Sequence, residues 1–387
     1  MYIAEIRLSG FRSYASAHFA LSPGLNVVVG ANATGKTNLV EAAYWSLRAT
    51  SPRTSRDDKL MRWGADAARV EVMLGDGRTA ALAYSPRLGR RATVDGVAVN
   101  SLERLRRLGP VFLFVPESLL LVKGGPARRR AHLDAFGADV DPAYQASVAA
   151  LQTAVRQRNA QLARVRAGGP ERALDPWDAQ LVSSGLELER RRRALVEALA
   201  ERFAGFAAAL SPAGGAFGLS LRSALADIGD DPDGYHEALW ARRPREIESA
   251  VSALGPHRDD LEIFESLPTG ERRDLRLFGS QGEQRAAVLA LLLAEREVAE
   301  QWTGQRGPLF LDDVMSELDD ARRRLLVRLL AASGQAVVTT TTSMYFRPEE
   351  LAGARIIDLQ DGLPAPAAEG SRRVATEGRE SSGGGSP

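Results

Sequence analysis

The 387-residue chain contains no cysteine, so it has neither disulfides nor a thiolate-held metal site. No apolar run reaches the roughly 20 residues that a membrane helix requires. The richest stretch, Ala286 to Ala294, is too short and runs directly into Glu295, Arg296 and Glu297. The opening residues, Met1-Tyr2-Ile3-Ala4-Glu5-Ile6-Arg7, lack the basic-then-apolar pattern of an export signal. A cytoplasmic protein with no membrane association is therefore expected. Neither sign of charge dominates: 50 Lys and Arg stand against 49 Asp and Glu, for a formal net charge of +1. A polyanionic partner would have to be met by local basic clusters rather than by a general excess. The remaining composition, 44% hydrophobic and 26% charged, is that of an ordinary folded protein, long enough for two or three domains.

One stretch carries immediate chemistry. Gly30-Ala31-Asn32-Ala33-Thr34-Gly35-Lys36-Thr37 fits G-x-x-x-x-G-K-[ST], a phosphate-binding loop (P-loop). Gly30 and Gly35 permit backbone conformations that a Cβ would block, so successive N–H groups can turn toward phosphate oxygens. Lys36 brings a charge to the β- and γ-phosphates of ATP, and the Thr37 hydroxyl is suited to Mg²⁺. The flanking pattern agrees: Leu25 to Val29 reads as a short strand, and Asn38 onward as a helix whose N-terminus faces the anion.

The rest of the first hundred residues reads as a β-rich lobe around that loop. Residues 2–8 alternate as a strand, a second strand is expected around Ala17 to Leu21, and Asp76-Gly77 and Asp95-Gly96 signal hairpins. Val111 to Val115 is a buried strand closed by Pro116. From about 118 to 250 the texture is helical, with Leu181, Leu188, Leu195 and Leu199 in heptad-like spacing and a loop signal at Pro212-Ala213-Gly214-Gly215. Strand character returns at Asp260 to Phe264. A helix from about Gly282 to Trp302, a strand at Pro308 to Leu311, a helix from Asp319 to Ala332 and a strand at Ala336 to Thr340 follow. The division expected is a head made of residues 1–117 and 251–363, an inserted helical domain at 118–250, and a disordered tail at 364–387.

The strand at Pro308 to Leu311 ends in Asp312-Asp313. Beside a P-loop, the first acid can hold Mg²⁺ and the second can orient or deprotonate the attacking water. Ahead of it lies Phe278-Gly279-Ser280-Gln281-Gly282-Glu283-Gln284, in which Ser280 can cap a helix with phosphate-binding N–H groups.

These three elements in this order, followed by Ser316-Glu317-Leu318-Asp319, resemble the ABC-type ATPases and more closely their SMC-like branch. Four segments, taken together, narrow the likeness. They are Arg53 to Asp57, Val122 to Arg130, Gly255 to Asp260 and Phe278 to Gly282, and together they resemble the RecF family of bacterial recombination mediators, from Ile3 to about Leu363. The resemblance implies an α/β fold: an ABC/SMC-like ATPase head, with a mixed sheet around the P-loop and an inserted, mostly helical domain. It implies ATP and Mg²⁺ as cofactors, with Gly30 to Asn38, Arg12 and Ser13 at the nucleotide and Thr37 and Asp312 at the metal. Lys36 and Asp313 would be catalytic. Ser280, Gln281, Gly282, Glu283 and Gln284 would be a signature motif acting on ATP held by a second copy, and Ser316 and Asp319 would belong to the D-loop. It further implies a nucleoid-associated, weakly DNA-stimulated ATPase of DNA repair, the SOS response and replication restart. Such a protein would dimerise with ATP on duplex, gapped or junction DNA and help RecR and RecO to load RecA.

Two positions depart from the wider ABC pattern. The switch histidine is replaced near Thr341, and no glutamine ends the Val111–Val115 strand, where Glu117 is the nearest substitute. Slow hydrolysis is therefore expected. DNA contact is expected from the Arg53–Arg56 loop and from Arg128, Arg129 and Arg130, through phosphates rather than base stacking, since aromatics are not interleaved. His257 is expected to be structural or part of a polar loop near the nucleotide. Two other readings share the motifs: the nucleotide-binding subunit of a membrane transporter, and a nucleotide-gated protein scaffold that scarcely hydrolyses.

Overall fold

The structure is a computed structural model that describes residues 1–211, 215–360 and 363–364. The chain begins with strands β1 (Ile3–Phe11), β2 (Tyr14–Ala20) and β3 (Leu25–Val29), then helix α1 (Lys36–Arg48). Strands β4 (Ala68–Leu74), β5 (Thr79–Ser85), β6 (Gly89–Val94) and β7 (Val97–Val99) follow, with tight turns at both expected hairpin sites. A short helix α2 (Glu103–Arg106) leads to strand β8 (Phe112–Phe114). The helical region comprises α3 (Leu120–Lys123), α4 (Pro126–Val140), α5 (Pro142–Arg166) and α6 (Asp175–Leu210), then strand β9 (Ala216–Arg222) and helix α7 (Pro232–Ser249). The chain continues through β10 (Asp260–Ser266), β11 (Arg272–Asp274), α8 (Leu275–Phe278), α9 (Gln281–Thr303), β12 (Leu309–Leu311), α10 (Asp320–Ala332), β13 (Ala336–Thr340), α11 (Pro348–Leu351), β14 (Arg355–Gln360) and β15 (Leu363–Pro364).

Three sheets form. An antiparallel sheet of order β2-β1-β4-β5-β6-β7 makes the β-rich lobe, and a mixed sheet of order β15-β14-β3-β13-β12-β8 carries the P-loop strand near its centre. In the second sheet β3 runs parallel to both β13 and β14, and β12 runs parallel to both β13 and β8. Parallel strands need both faces covered, and here alternate residues go to opposite sides. Val28, Phe310 and Val337 join the core under the antiparallel lobe, with Trp45 of α1. Val27, Leu311 and Val338 join a second core made with α6 and α9.

This second core explains two sequence features. Leu181, Leu188, Leu195 and Leu199 are each 0% exposed, so their heptad-like stripe is the face of α6 that packs into the fold rather than a coiled-coil seam. The apolar run Ala286 to Ala294 is the buried interior of α9, and no helix among the described residues is long and apolar enough to cross a membrane.

The expected head and insert share that core. Strand β9, inside 118–250, pairs with β10 along its length, from Arg222 opposite Asp260 to Ala216 opposite Ser266. A boundary at 250 therefore falls between two strands of one sheet. The loop residues 212–214 and the expected tail beyond Pro364 lie outside the described residues.

Two polar side chains lock the layers. Gln335 accepts a hydrogen bond from the Ile3 N–H (2.8 Å) and donates to the carbonyls of Ile3 (2.7 Å) and Ser22 (2.8 Å), tying β1 to the start of β13. Asn26, fully buried in β3, donates to the Gly24 and Ala336 carbonyls. Buried amides satisfied in this way fix one register, because any slip would strand them without partners.

Candidate nucleotide site

The P-loop, Asp312 and the end of β13 all lie at the carboxyl ends of adjacent parallel strands, where open α/β sheets bind ligands. Gly30 follows β3, Asp312 follows β12, and Thr339 and Thr340 close β13. The two glycines of the motif have separate reasons. A Cβ on Gly30 would lie 2.7 Å from the Thr34 hydroxyl and 3.1 Å from Leu359. Gly35 caps α1 at φ +98°, where a side chain would be strained, and a Cβ there would meet the Tyr14 hydroxyl at 2.8 Å. That hydroxyl donates to the Gly35 carbonyl at 3.0 Å, and burial pushes the Tyr14 phenol up from its ordinary pKa.

The loop is closed on itself. The Lys36 ammonium donates to the carbonyls of Gly30 (2.7 Å) and Ala31 (2.8 Å), and Thr34 donates to Ala31 (2.9 Å). Burial holds the Lys36 pKa below that of a free lysine, although Asp313 and Asp312 oppose the shift. Thr37 donates to one oxygen of Asp312 at 2.8 Å, and Thr339 donates to the other at 2.7 Å. Burial raises the Asp312 pKa, and these two hydroxyl donors work against the rise. One hydroxyl and one carboxylate suit Mg²⁺, which keeps most of its shell as phosphate oxygens and water. No cluster of three or more acidic or imidazole ligands exists among the described residues, so the metal would depend on the nucleotide.

Asp313 is the most unusual residue here. It adopts φ +48°, a left-handed conformation rare for non-glycine residues, while its N–H donates to Thr339 at 3.0 Å. Its Oδ1 is buried and accepts no hydrogen bond among the described residues. Strain combined with an unsatisfied buried acceptor is the pattern of a functional carboxylate.

Arg12 and Ser13 are brought to the first turns of α1. Ser13 accepts from Asn38 at 2.9 Å. Arg12 makes a two-pronged bond to Glu41 (2.9 and 2.7 Å) and a third to the Lys59 carbonyl (2.8 Å), so its reach toward a nucleotide is already braced. Glu41, 1% exposed, also accepts from Ser51 (2.6 Å) and pairs with Arg53 (3.4 Å). Arg53 of the expected DNA loop thus touches the nucleotide helix directly, and its other bond goes to Asn38.

The signature segment lies at the start of α9. Ser280 accepts from the Glu283 N–H (3.3 Å), and Glu283 accepts from the Ser280 N–H (2.7 Å). That reciprocal cap lowers the Glu283 pKa. Ser280 and Gln281 are exposed, Gly282 and Glu283 are half-buried, and Gln284 is buried with its amide donating to the Leu275 carbonyl (2.9 Å). A Cβ on Gly282 would lie 2.6 Å from the Arg322 guanidinium. Arg322 in turn bonds Asp319, the N-cap of α10, and Ser316 donates to the Asp313 carbonyl (3.0 Å). Signature and D-loop residues are therefore neighbours. Thr341 is half-buried just beyond β13, and Glu117 lines a cavity of about 250 Å³ together with His132 and Glu295. His257 bonds the Ser252 carbonyl (2.9 Å).

The basic clusters separate by burial. Arg129 is 7% exposed and forms a two-pronged ion pair with Asp260 (2.7 and 2.8 Å), which joins α4 to β10 and removes it from the DNA candidates. Arg130 bonds the Asp259 carbonyl, whereas Arg128 is exposed. Arg56 is exposed but paired with Asp58 (2.7 Å). Arg192 is equally internal, held by Asp134 and Asp259. Removing one member of a buried pair strands the other, so Arg129→Ala should lower stability by about 3–5 kcal/mol. Arg128→Ala should stay within about 0.5 kcal/mol. Urea unfolding of both variants checks the pair, and equal midpoints would refute the assignment.

Known proteins resemble this chain in sequence and in fold. The AAA domain family matches residues 5–100. A DNA replication and repair protein RecF from Moorella thermoacetica is 37% identical, covering 83% of this chain and 85% of that protein. The RecF from Frankia alni is 39% identical, covering 84% of this chain and 89% of that protein. Among solved structures, a RecF–ATP structure of the RecFOR pathway aligns with a TM-score of 0.78 at 25% identity, covering 94% of this chain and 98% of the other. An SMC head bound to a ScpA domain aligns at 0.57 and 19% identity over 94% of this chain and 96% of the other, a likeness of fold.

Proposed function

Because this chain belongs to the RecF family of DNA replication and repair proteins, we propose that it is an ATP-gated DNA clamp built from two copies. The observation that carries the reading is an incomplete site. Lys36, Thr37, Asp312 and Asp313 converge at the carboxyl ends of β3 and β12, while the exposed cap at Ser280 bonds none of them among the described residues. A second copy supplies what is missing.

In this reading the P-loop N–H groups and Lys36 hold the β- and γ-phosphates, Lys36 releasing its loop carbonyls to do so. Thr37 and Asp312 hold Mg²⁺, which would neutralise charge on the transferring phosphoryl group. Asp313 positions the attacking water from its strained backbone, with Ser316 bonded to its carbonyl. Ser280 and the N-terminus of α9 cover the γ-phosphate bound by the other copy, where backbone donors suit the anion. Thr341 offers no imidazole, so turnover is slow and serves to release the clamp. The family assignment takes the place of the transporter reading. Arg53, Arg56, Arg128 and Arg130 remain the DNA candidates, contacting phosphates of duplex or gapped DNA, and RecR and RecO are the partners through which RecA is loaded.

Sedimentation with ATP, ADP or no nucleotide, with and without gapped duplex, tests this directly. A dimer formed only in ATP and stabilised by DNA is the expected outcome. A monomer in every condition would overturn the clamp.

A further inference from the structure

Three large apolar side chains stand in solvent on two elements that the proposed clamp brings together. Trp63 is 99% exposed, Leu277 67% and Phe278 61%. A contiguous exposed apolar patch marks an interaction site, whereas apolar side chains exposed singly are ordinary; Leu277 and Phe278 are adjacent, and Trp63 joins them only across the clamp.

Each is held on a fixed support. The Arg62 N–H donates to the Gly10 carbonyl (2.8 Å), the Ala65 N–H donates to the Arg62 carbonyl (3.0 Å), and Met61 bridges to Phe11. The turn bearing Trp63 is thereby fastened to the end of β1, beside the Arg12–Glu41 pair that braces the P-loop helix. On the other element, Leu275 is buried and its carbonyl accepts from Gln284, so α8 is fastened to the signature helix. A Cβ on Gly279 would lie 2.6 Å from that same carbonyl, so the link from Phe278 to Ser280 is tight.

We infer that Trp63 of one copy packs against Leu277 and Phe278 of a second copy, forming an apolar latch beside each shared nucleotide. The inference rests on the clamp reading. A two-fold axis that seats Ser280 over the other copy's Lys36 sets the segment just before Ser280 against the surface beside that P-loop. The contact then occurs twice, as a self-complementary interface requires. Tryptophan is also the side chain that most often carries binding energy at protein interfaces.

The absence of cysteine makes the test clean. Full-length Trp63→Cys and Phe278→Cys proteins, mixed in equal amounts, should be joined by a short bismaleimide in ATP. They should not be joined in ADP, nor when both carry Lys36→Ala. In sedimentation, Trp63→Ala and Phe278→Ala should each weaken the ATP dimer about 10-fold or more, and the double variant should lose less than the product of the two. A wild-type dimer whose affinity neither substitution changes would overturn the latch and leave the clamp standing. A wild-type chain that stays monomeric in ATP would overturn both. A Trp63→Ala protein that dimerises normally but loses DNA affinity would also overturn the latch, assigning Trp63 to base stacking instead.

Discussion

Lys36→Ala is expected to remain folded, to bind ATP about 10- to 100-fold more weakly and to stay monomeric at ATP concentrations that dimerise the parent chain. The affinity loss follows from the removal of one charged donor to phosphate, a contact on the order of 1.5–3 kcal/mol. The fold should survive because the two bonds lost, to the carbonyls of Gly30 and Ala31, lie within the loop itself and not between layers. The interlayer locks, Gln335 to Ile3 and Asn26 to Ala336, are untouched. Thr37 and Thr339 still satisfy Asp312. Dimerisation suffers more than binding does, since in the clamp each bound nucleotide bridges two copies and there are two such bridges. A fluorescent ATP analogue measures the affinity, and sedimentation in ATP measures assembly. Full dimerisation of Lys36→Ala would show that closure does not depend on phosphate, leaving the P-loop without its proposed role.

The parts of this site that were legible in the sequence are those that act locally. The P-loop, the acid pair after β12 and the cap at Ser280 each occupy a few consecutive residues, and their chemistry follows from residue type and spacing. What stayed hidden acts across the chain. Thr339 reaches Asp312 from 27 residues away, Arg12 reaches Glu41 across 29, and Gln335 reaches Ile3 across 332. Glu41 is one acid in a helix buried on nearly every side, and nothing in the sequence named it or its partners. The arginine runs show the same limit from the other side. Arg128, Arg129 and Arg130 look alike as a string, yet successive helical residues point in different directions, so one meets solvent while Arg129 meets Asp260. Strand β9 escaped notice because it sits between helices of 36 and 18 residues, and it becomes recognisable only through its pairing with β10.

Asp313→Asn should yield a chain that binds ATP and dimerises at least as well as the parent but scarcely turns over. The substitution suits the backbone, since asparagine tolerates the φ of +48° found here better than other side chains apart from glycine. It keeps the N–H donated to Thr339 and nearly the same volume, so Asp312 and its two hydroxyl donors are undisturbed. What it removes is a negative charge and a proton acceptor at a buried oxygen that has no partner among the described residues. Loss of the charge relieves repulsion against the γ-phosphate and favours ATP retention. Loss of the acceptor removes base assistance, a contribution of about 10²- to 10⁴-fold in rate. Together these make a dimer that closes and does not reopen, so its residence on DNA should lengthen as its turnover falls. Single-turnover hydrolysis measures the first effect, and dissociation from labelled gapped duplex after ATP removal measures the second. Turnover within about 3-fold of the parent would remove Asp313 from the chemistry. Lost turnover with unchanged residence would separate hydrolysis from release, leaving ATP binding alone to control the clamp.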